Sequence, residues 1–248
     1  MHTAAKLARF GDRLVSLIAA GLILLMLLYG GYSLWDTAMV YRGAFLSSDL
    51  LEFKPASGGD PNANPSLEEL QAINPDVCGW LTIDDTHIDY PVVVGDTNME
   101  YINKDVYGDF ALSGSIFLDS SNARDFSDSY TLIYGHHMDN GAMFGDVVEF
   151  VNGDYFNTHT SGTLYLPDAT YQIELFACVQ VDAYDSVIYD PVAQNGDLSE
   201  LLNHINQIAV QSRYIGVDPR DQVIGLSTCS ESTTNGRVVL FGRLDRIG

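Results

Sequence analysis

Uncharged, mostly apolar positions run without a break from Leu14 to Trp35, 22 residues rich in Leu, Ile, Ala and Gly. About 20 such residues span the hydrocarbon core of a bilayer as a helix, so the run predicts a transmembrane helix. Residues 36–54 then read as a short amphipathic continuation, and 55–66, with Pro55, Gly58, Gly59, Pro61, Asn62, Asn64 and Pro65, as a linker. Ser66 is the expected N-cap of a short helix that carries Glu68 and Glu69 in its first turn and ends near Asn74-Pro75. Beyond it the apolar runs shorten and turn residues punctuate them, which predicts strands near 77–83, 88–94, 115–119, 130–136, 162–166, 171–182, 222–228 and 237–245. Two helices interrupt this series. One is expected near 143–152, and the other near 197–212, where Leu198, Leu201, Leu202, Ile205, Ile208 and Ala209 recur at helical spacing. The fold class is therefore mostly β: an eight-stranded, closed or nearly closed barrel with helical insertions, preceded by the transmembrane helix.

The flanks of the apolar run give it a direction. Lys6, Arg9 and Arg13 precede it, which keeps the N-terminus in the cytoplasm and sends everything after Asp36 outside. Tyr29, Tyr32 and Trp35 lie at the outer end, where aromatic rings favour the interface. A cleaved signal peptide would have a shorter apolar region and a small-x-small site after it; Asp36-Thr37-Ala38-Met39-Val40-Tyr41 is a poor one. An uncleaved signal anchor is expected.

Charge narrows the partners. Asp and Glu number 33 against 12 Lys and Arg, a formal net charge of -21. Such a surface excludes nucleic acid, which requires a basic footprint. It suits a soluble face that repels anionic polymers; attraction of cationic or amine-bearing partners is one reading of it, and solubility alone is the plainer one. Apolar residues make up 46% of the chain, enough for a core.

Three cysteines occur, Cys78, Cys178 and Cys229, with no CxxC and no Cys/His cluster at zinc spacing. No metal or other cofactor is expected. Cys78 and Cys178 lie among apolar residues and read as buried small hydrophobes, with a 78–178 disulfide as the alternative. Cys229 differs. It ends the apolar strand 223–228 and opens a polar loop, Ser230 to Gly236, where a side chain can meet solvent. Arg237 starts the next strand, so a hairpin would bring it beside Cys229. Arg243 would lie about 20 Å further along at ~3.3 Å per residue. An arginine next to a thiol favours the thiolate and can hold an oxyanion; the plainer reading is a solvated rim charge. A proton carrier is also needed, and His136-His137 follow the run Thr131-Leu132-Ile133-Tyr134-Gly135. Neighbouring strand residues point to opposite faces, so at most one of them can serve. Spacing alone leaves that choice open.

The motifs Tyr134-Gly135-His136-His137-Met138, Leu226-Ser227-Thr228-Cys229 and Gly236-Arg237-Val238-Val239 resemble those of the sortases in order and approximate spacing. The resemblance runs from about Leu67 to the C-terminus. It is greatest to class B, through Asn74-Pro75-Asp76-Val77-Cys78-Gly79-Trp80-Leu81, the long helix before the Cys strand and the signal anchor. It implies an eight-stranded sortase barrel with a catalytic domain over 67–248, after a cytoplasmic tail (1–13), the anchor (14–35) and a juxtamembrane segment and linker (36–66). By the same resemblance Cys229 is the nucleophile, His136 the general acid and base, and Arg237 the oxyanion stabiliser. Asn98, Ile102 and Ser227 are similar to substrate-groove positions. Ser230 stands where some relatives carry an acidic residue, so that residue's contacts are not carried over. The implied reaction cleaves a C-terminal sorting signal, LPxTG-like or NPxTx-like, of secreted proteins, and transfers them through a thioacyl intermediate to a peptidoglycan amine. Two other readings share these residues: a hydrolytic extracellular cysteine peptidase, which an added amine acceptor would expose, and a membrane-tethered binding domain with an inert Cys229.

Overall fold

The structure, a computed structural model, describes residues 2–42, 44, 48–56, 58–229 and 235–247. It divides into two compact units, residues 1–42 and 43–248.

The first unit is one helix, α1 (His2–Arg42). Its stretch Arg9–Met39, 31 residues, is long and apolar enough to cross a membrane. At 1.5 Å per residue that is about 46 Å, more than the ~30 Å hydrocarbon core. No Pro interrupts the segment, so the helix continues past both ends of the charge-free run.

The second unit begins with α2 (Ser48–Leu51) and α3 (Pro65–Ile73). Ser66 is not the N-cap of α3. Asn64 is, with Pro65 following it in the first turn, where a missing N–H costs nothing. The Asn64 side chain makes no cap bond. It donates instead to the carbonyls of Leu166 and Ala169 and to Thr170 Oγ1, tying the helix start to a β-turn. Leu67 and Leu70 face inward.

Among the described residues nine strands follow: β1 (Val77–Ile83), β2 (Asp89–Val93), β3 (Ile116–Leu118), β4 (Tyr130–Tyr134), β5 (Ser161–Leu166), β6 (Ala169–Asp182), β7 (Ala209–Ser212), β8 (Gln222–Cys229) and β9 (Gly236–Ile247). They form one sheet in the order β5-β1-β2-β3-β4-β8-β9-β6-β7, and β5 also pairs with β6. That second pairing closes eight strands into a barrel. A register shift between Leu175 and Ala177 bends β6, so its first half pairs with β5 and its second half with β7.

Helical pieces interrupt the strands: a 3-10 turn at Glu100–Asn103, a 3-10 helix at Gly145–Val151, α4 (Gly153–Thr158) and α5 (Ser199–Ile208). The helix expected over 197–212 ends at Ile208, and β7 occupies the rest.

Apolar clusters of described residues fill the unit, two of them against helices. Tyr130, Phe176, Val239 and Phe241 pack with Leu201 and Ile205 of α5; Trp80, Val93 and Phe117 pack with Leu67 and Leu70 of α3. Each fully buried Leu, Val or Phe contributes about 1.5–3 kcal/mol of transfer free energy. Half-buried Tyr134 packs against both clusters.

Candidate functional site

Three adjacent strands deliver the chemistry-bearing residues to one end of the barrel. β4 and β8 run parallel, with Tyr134 opposite Ser227, so their C-terminal ends emerge together. β9 returns antiparallel to β8, and its register puts Arg237 directly opposite Cys229. The hairpin expected from sequence is thus present. Its 230–234 loop, including Ser230, and the Cys229 side chain lie outside the described part. Arg237 is half-buried, and its Nη1 donates to the Gly236 carbonyl at 3.0 Å. Arg243 is held at the other end of β9, opposite Val223, by Glu174 and Asp245 at 2.9 Å each.

The chain after β4 is pinned to β8. Gly135 N–H donates to the Ser227 carbonyl at 3.2 Å, and the buried Thr228 hydroxyl donates to the Gly135 carbonyl at 2.9 Å. A Cβ on Gly135 would stand 2.6 Å from the Phe144 ring, so only glycine fits between β4 and the next loop. That loop is closed by Phe144 N–H on the His136 carbonyl, 3.0 Å.

The two histidines diverge, as alternation requires. His136 Nε2 lies 2.9 Å from the Ile102 carbonyl. A carbonyl only accepts, so Nε2 carries a proton in this arrangement. His137 Nε2 lies 3.4 Å from Asp139 and lines a different cavity of about 510 Å³ with His87, Asp85, Asp146 and Glu149.

The three expected groove positions have distinct surroundings. Ile102 meets His136 through its main chain, while its side chain packs on the Trp80 cluster. The buried Ser227 hydroxyl shares a 3.0 Å hydrogen bond with Tyr189. Asn98 is turned onto the segment after β3: its Nδ2 donates to Asp119 Oδ2 at 2.8 Å, and its Oδ1 accepts from Ser120 N–H at 2.7 Å. Asp119 and Tyr189 were missed by sequence reasoning. Asp119 closes an apolar strand, a place that reads as a turn acid, and Tyr189 lies in a stretch with no periodicity.

The other two cysteines are free thiols buried in β1 and β6, so no 78–178 disulfide forms. Burial pushes each thiol up to about 12, with the nearby Arg124 opposing that slightly at Cys78. Neither supplies thiolate at neutral pH. Among the described residues no group of three or more His, Cys, Asp or Glu could hold a metal ion.

Comparison with known proteins bears on this arrangement. The family description "Sortase domain" matches residues 81–245. Sortase B of Listeria monocytogenes is 33% identical over 180 residues, covering 72% of this chain and 73% of the relative. A Streptococcus pyogenes class B sortase involved in pilus biogenesis superimposes with a TM-score of 0.67 at 44% identity, over 72% of this chain and 97% of that one. Sortase B from the type II pilus of Streptococcus pneumoniae gives 0.61 at 39%, over 71% and 96%.

Proposed function

This chain belongs to the sortase family and is similar throughout its barrel to class B members; from that premise, we propose that Cys229, His136 and Arg237 carry out its cysteine transpeptidation on a C-terminal sorting signal. The observation that carries the assignment is the β8–β9 register, which sets Arg237 opposite Cys229, next to β4, the strand that ends two residues before His136.

In the first half-reaction the Cys229 thiolate attacks the Thr carbonyl carbon of an LPxTG-like or NPxTx-like signal. A C–S bond forms and the Thr–x C–N bond breaks. His136 as imidazolium gives the departing amine its proton, and Arg237 holds the oxyanion of the tetrahedral intermediate. In the second half an acceptor amine attacks the thioacyl carbonyl, a C–N bond replaces the C–S bond, and His136 takes the amine proton. The Nε2 contact with Ile102 supports this role, because it holds the ring by a main-chain atom that no side-chain variation removes. Asn98, Ile102 and Ser227 would line the groove for the signal.

In this reading 67–248 is the catalytic domain, outside the membrane. Residues 14–35 are the single-pass anchor, 1–13 the cytoplasmic tail and 36–66 the juxtamembrane segment and linker. Secreted proteins and a peptidoglycan amine then meet the enzyme on the same side. A second reading of the acceptor has its own support: the two pilus-associated class B enzymes are 44% and 39% identical, against 33% for Listeria Sortase B. In that reading the acceptor amine belongs to a pilus-type protein subunit.

The test is cleavage of sorting-signal peptides by the full chain in detergent, with and without an amine acceptor. Ligated product is expected, and Cys229→Ala and His136→Ala should each abolish it. Full activity in Cys229→Ala would end the assignment. Offering peptidoglycan-type and lysine-bearing protein amines together separates the two acceptor readings by product mass.

A further inference from the structure

A row of polar and aromatic side chains, joined by hydrogen bonds and one ring stack, links two of the expected groove residues through side chains that the mechanism does not use. Asp119 is the first residue after β3 and is only 5% exposed. Its Oδ2 accepts from Asn98 Nδ2 and from the Tyr134 hydroxyl, both at 2.8 Å. Its Oδ1 accepts from Ser121 N–H at 2.9 Å and Ser121 Oγ at 2.5 Å. Four donors converge on two oxygens, as a buried carboxylate requires.

Tyr134 is where this row meets the reaction centre. It stands opposite Ser227, two residues before Cys229 on β8, and itself precedes His136 by two. The Tyr134 ring stacks on Tyr189 with centroids 6.4 Å apart and planes at 12°, and Tyr189 reaches the Ser227 hydroxyl. The row therefore runs from Asn98 through Asp119, Tyr134 and Tyr189 to Ser227. Two of its ends are residues expected to touch the sorting signal. Burial first, then the Asp119 charge, raise the Tyr134 hydroxyl far above its ordinary range, so it remains a donor at any physiological pH.

We propose that Asp119 is a positioning residue for the sorting signal: its carboxylate fixes the Asn98 amide and the Tyr134 ring as side and floor of the groove next to Cys229. The inference rests on the transpeptidase reading of the site. Asp119 does not reach the reacting atoms, so its effect is on signal binding and not on the chemistry of Cys229. The Tyr134 ring is held by packing and Asn98 also by Ser120 N–H, and the carboxylate is the one acceptor that joins the two side chains; without it they lose their common orientation.

The experiment uses two variants of the full chain, Asp119→Asn and Tyr134→Phe. Asp119→Asn replaces one oxygen by an NH2 that has to face donors; Tyr134→Phe removes one donor and leaves the carboxylate. Each is also placed on Cys229→Ala, where peptide binding is read without turnover. Expected are a rise of about tenfold in Kd and KM for a sorting-signal peptide, as loss of a hydrogen bond to a charged group implies, with kcat within about threefold and the rate of Cys229 alkylation by iodoacetamide within about twofold. Unchanged Kd and KM in folded variants would overturn the proposal. So would kcat and alkylation falling in step with binding, which marks a purely structural role. If Asp119→Asn does not fold, Tyr134→Phe decides by the same criteria. A wild-type chain that neither binds nor cleaves the peptide fails one step earlier, at the transpeptidase reading, and takes the positioning role with it.

Discussion

Gly114 is held at φ +59°, and a Cβ there would collide with the Ile102 carbonyl, the atom that holds His136. Only glycine tolerates both the backbone and the approach. Gly114→Ala is therefore expected to cost about 1–3 kcal/mol of stability and to displace the His136 ring. Thermal unfolding should show the first effect and a fall in kcat/KM for a sorting-signal peptide the second. The cysteines give another prediction at this scale. The folded-state thiols of Cys78 and Cys178 are raised from 9.0 to about 12. A folded group that resists ionisation leaves stability intact below pH 9 and loses it as pH climbs from 9 towards 12. At pH 8, iodoacetamide should modify one thiol per native chain, Cys229, and all three only after denaturation. Fast native modification of Cys229→Ala would contradict this.

At the scale of elements, α5 couples stability to the site. Its Leu201 and Ile205 are buried in the cluster that Tyr134 and Tyr189 also join. Leu201→Ala should cost about 2–5 kcal/mol in denaturant unfolding and raise KM for the peptide, because the floor residues share its packing. The strands were legible in the sequence: apolar runs bounded by turn residues located all eight barrel strands to within a few residues, and the closed barrel matches the solved class B structures. Other elements were not. β7 was hidden because Ile205, Ile208 and Ala209 keep helical spacing across the point where the helix ends, and only a four-residue pairing with β6 makes 209–212 extended. α4 is announced by little more than Asn152, whose side chain accepts from Asp154 N–H. At the site, strand logic alone located Arg237 opposite Cys229 and could not choose between His136 and His137. Asp119 was illegible because its role depends on Asn98 and Tyr134, 21 and 15 residues away along the chain.

For the whole molecule the dominant feature is its charge, 33 acidic against 12 basic residues. A net charge of -21 makes a negative field that reaches about one Debye length, ~10 Å at 0.1 M salt. The two halves of the proposed reaction feel it differently. A neutral sorting-signal peptide experiences little steering, so thioacyl formation should change little between 50 and 500 mM NaCl. An amine acceptor arrives mostly as ammonium and is drawn in by the field before it gives up its proton. Its second-order rate of capture should therefore fall several-fold over the same salt range, and hydrolysis of the thioacyl intermediate should rise as a share of product. The ratio of ligated to hydrolysed peptide, measured by mass spectrometry against ionic strength, reads this directly. A neutral nucleophile such as hydroxylamine, whose capture should not depend on salt, provides the control. A ligation ratio independent of salt for a cationic acceptor would mean that the acidic surface serves solubility alone.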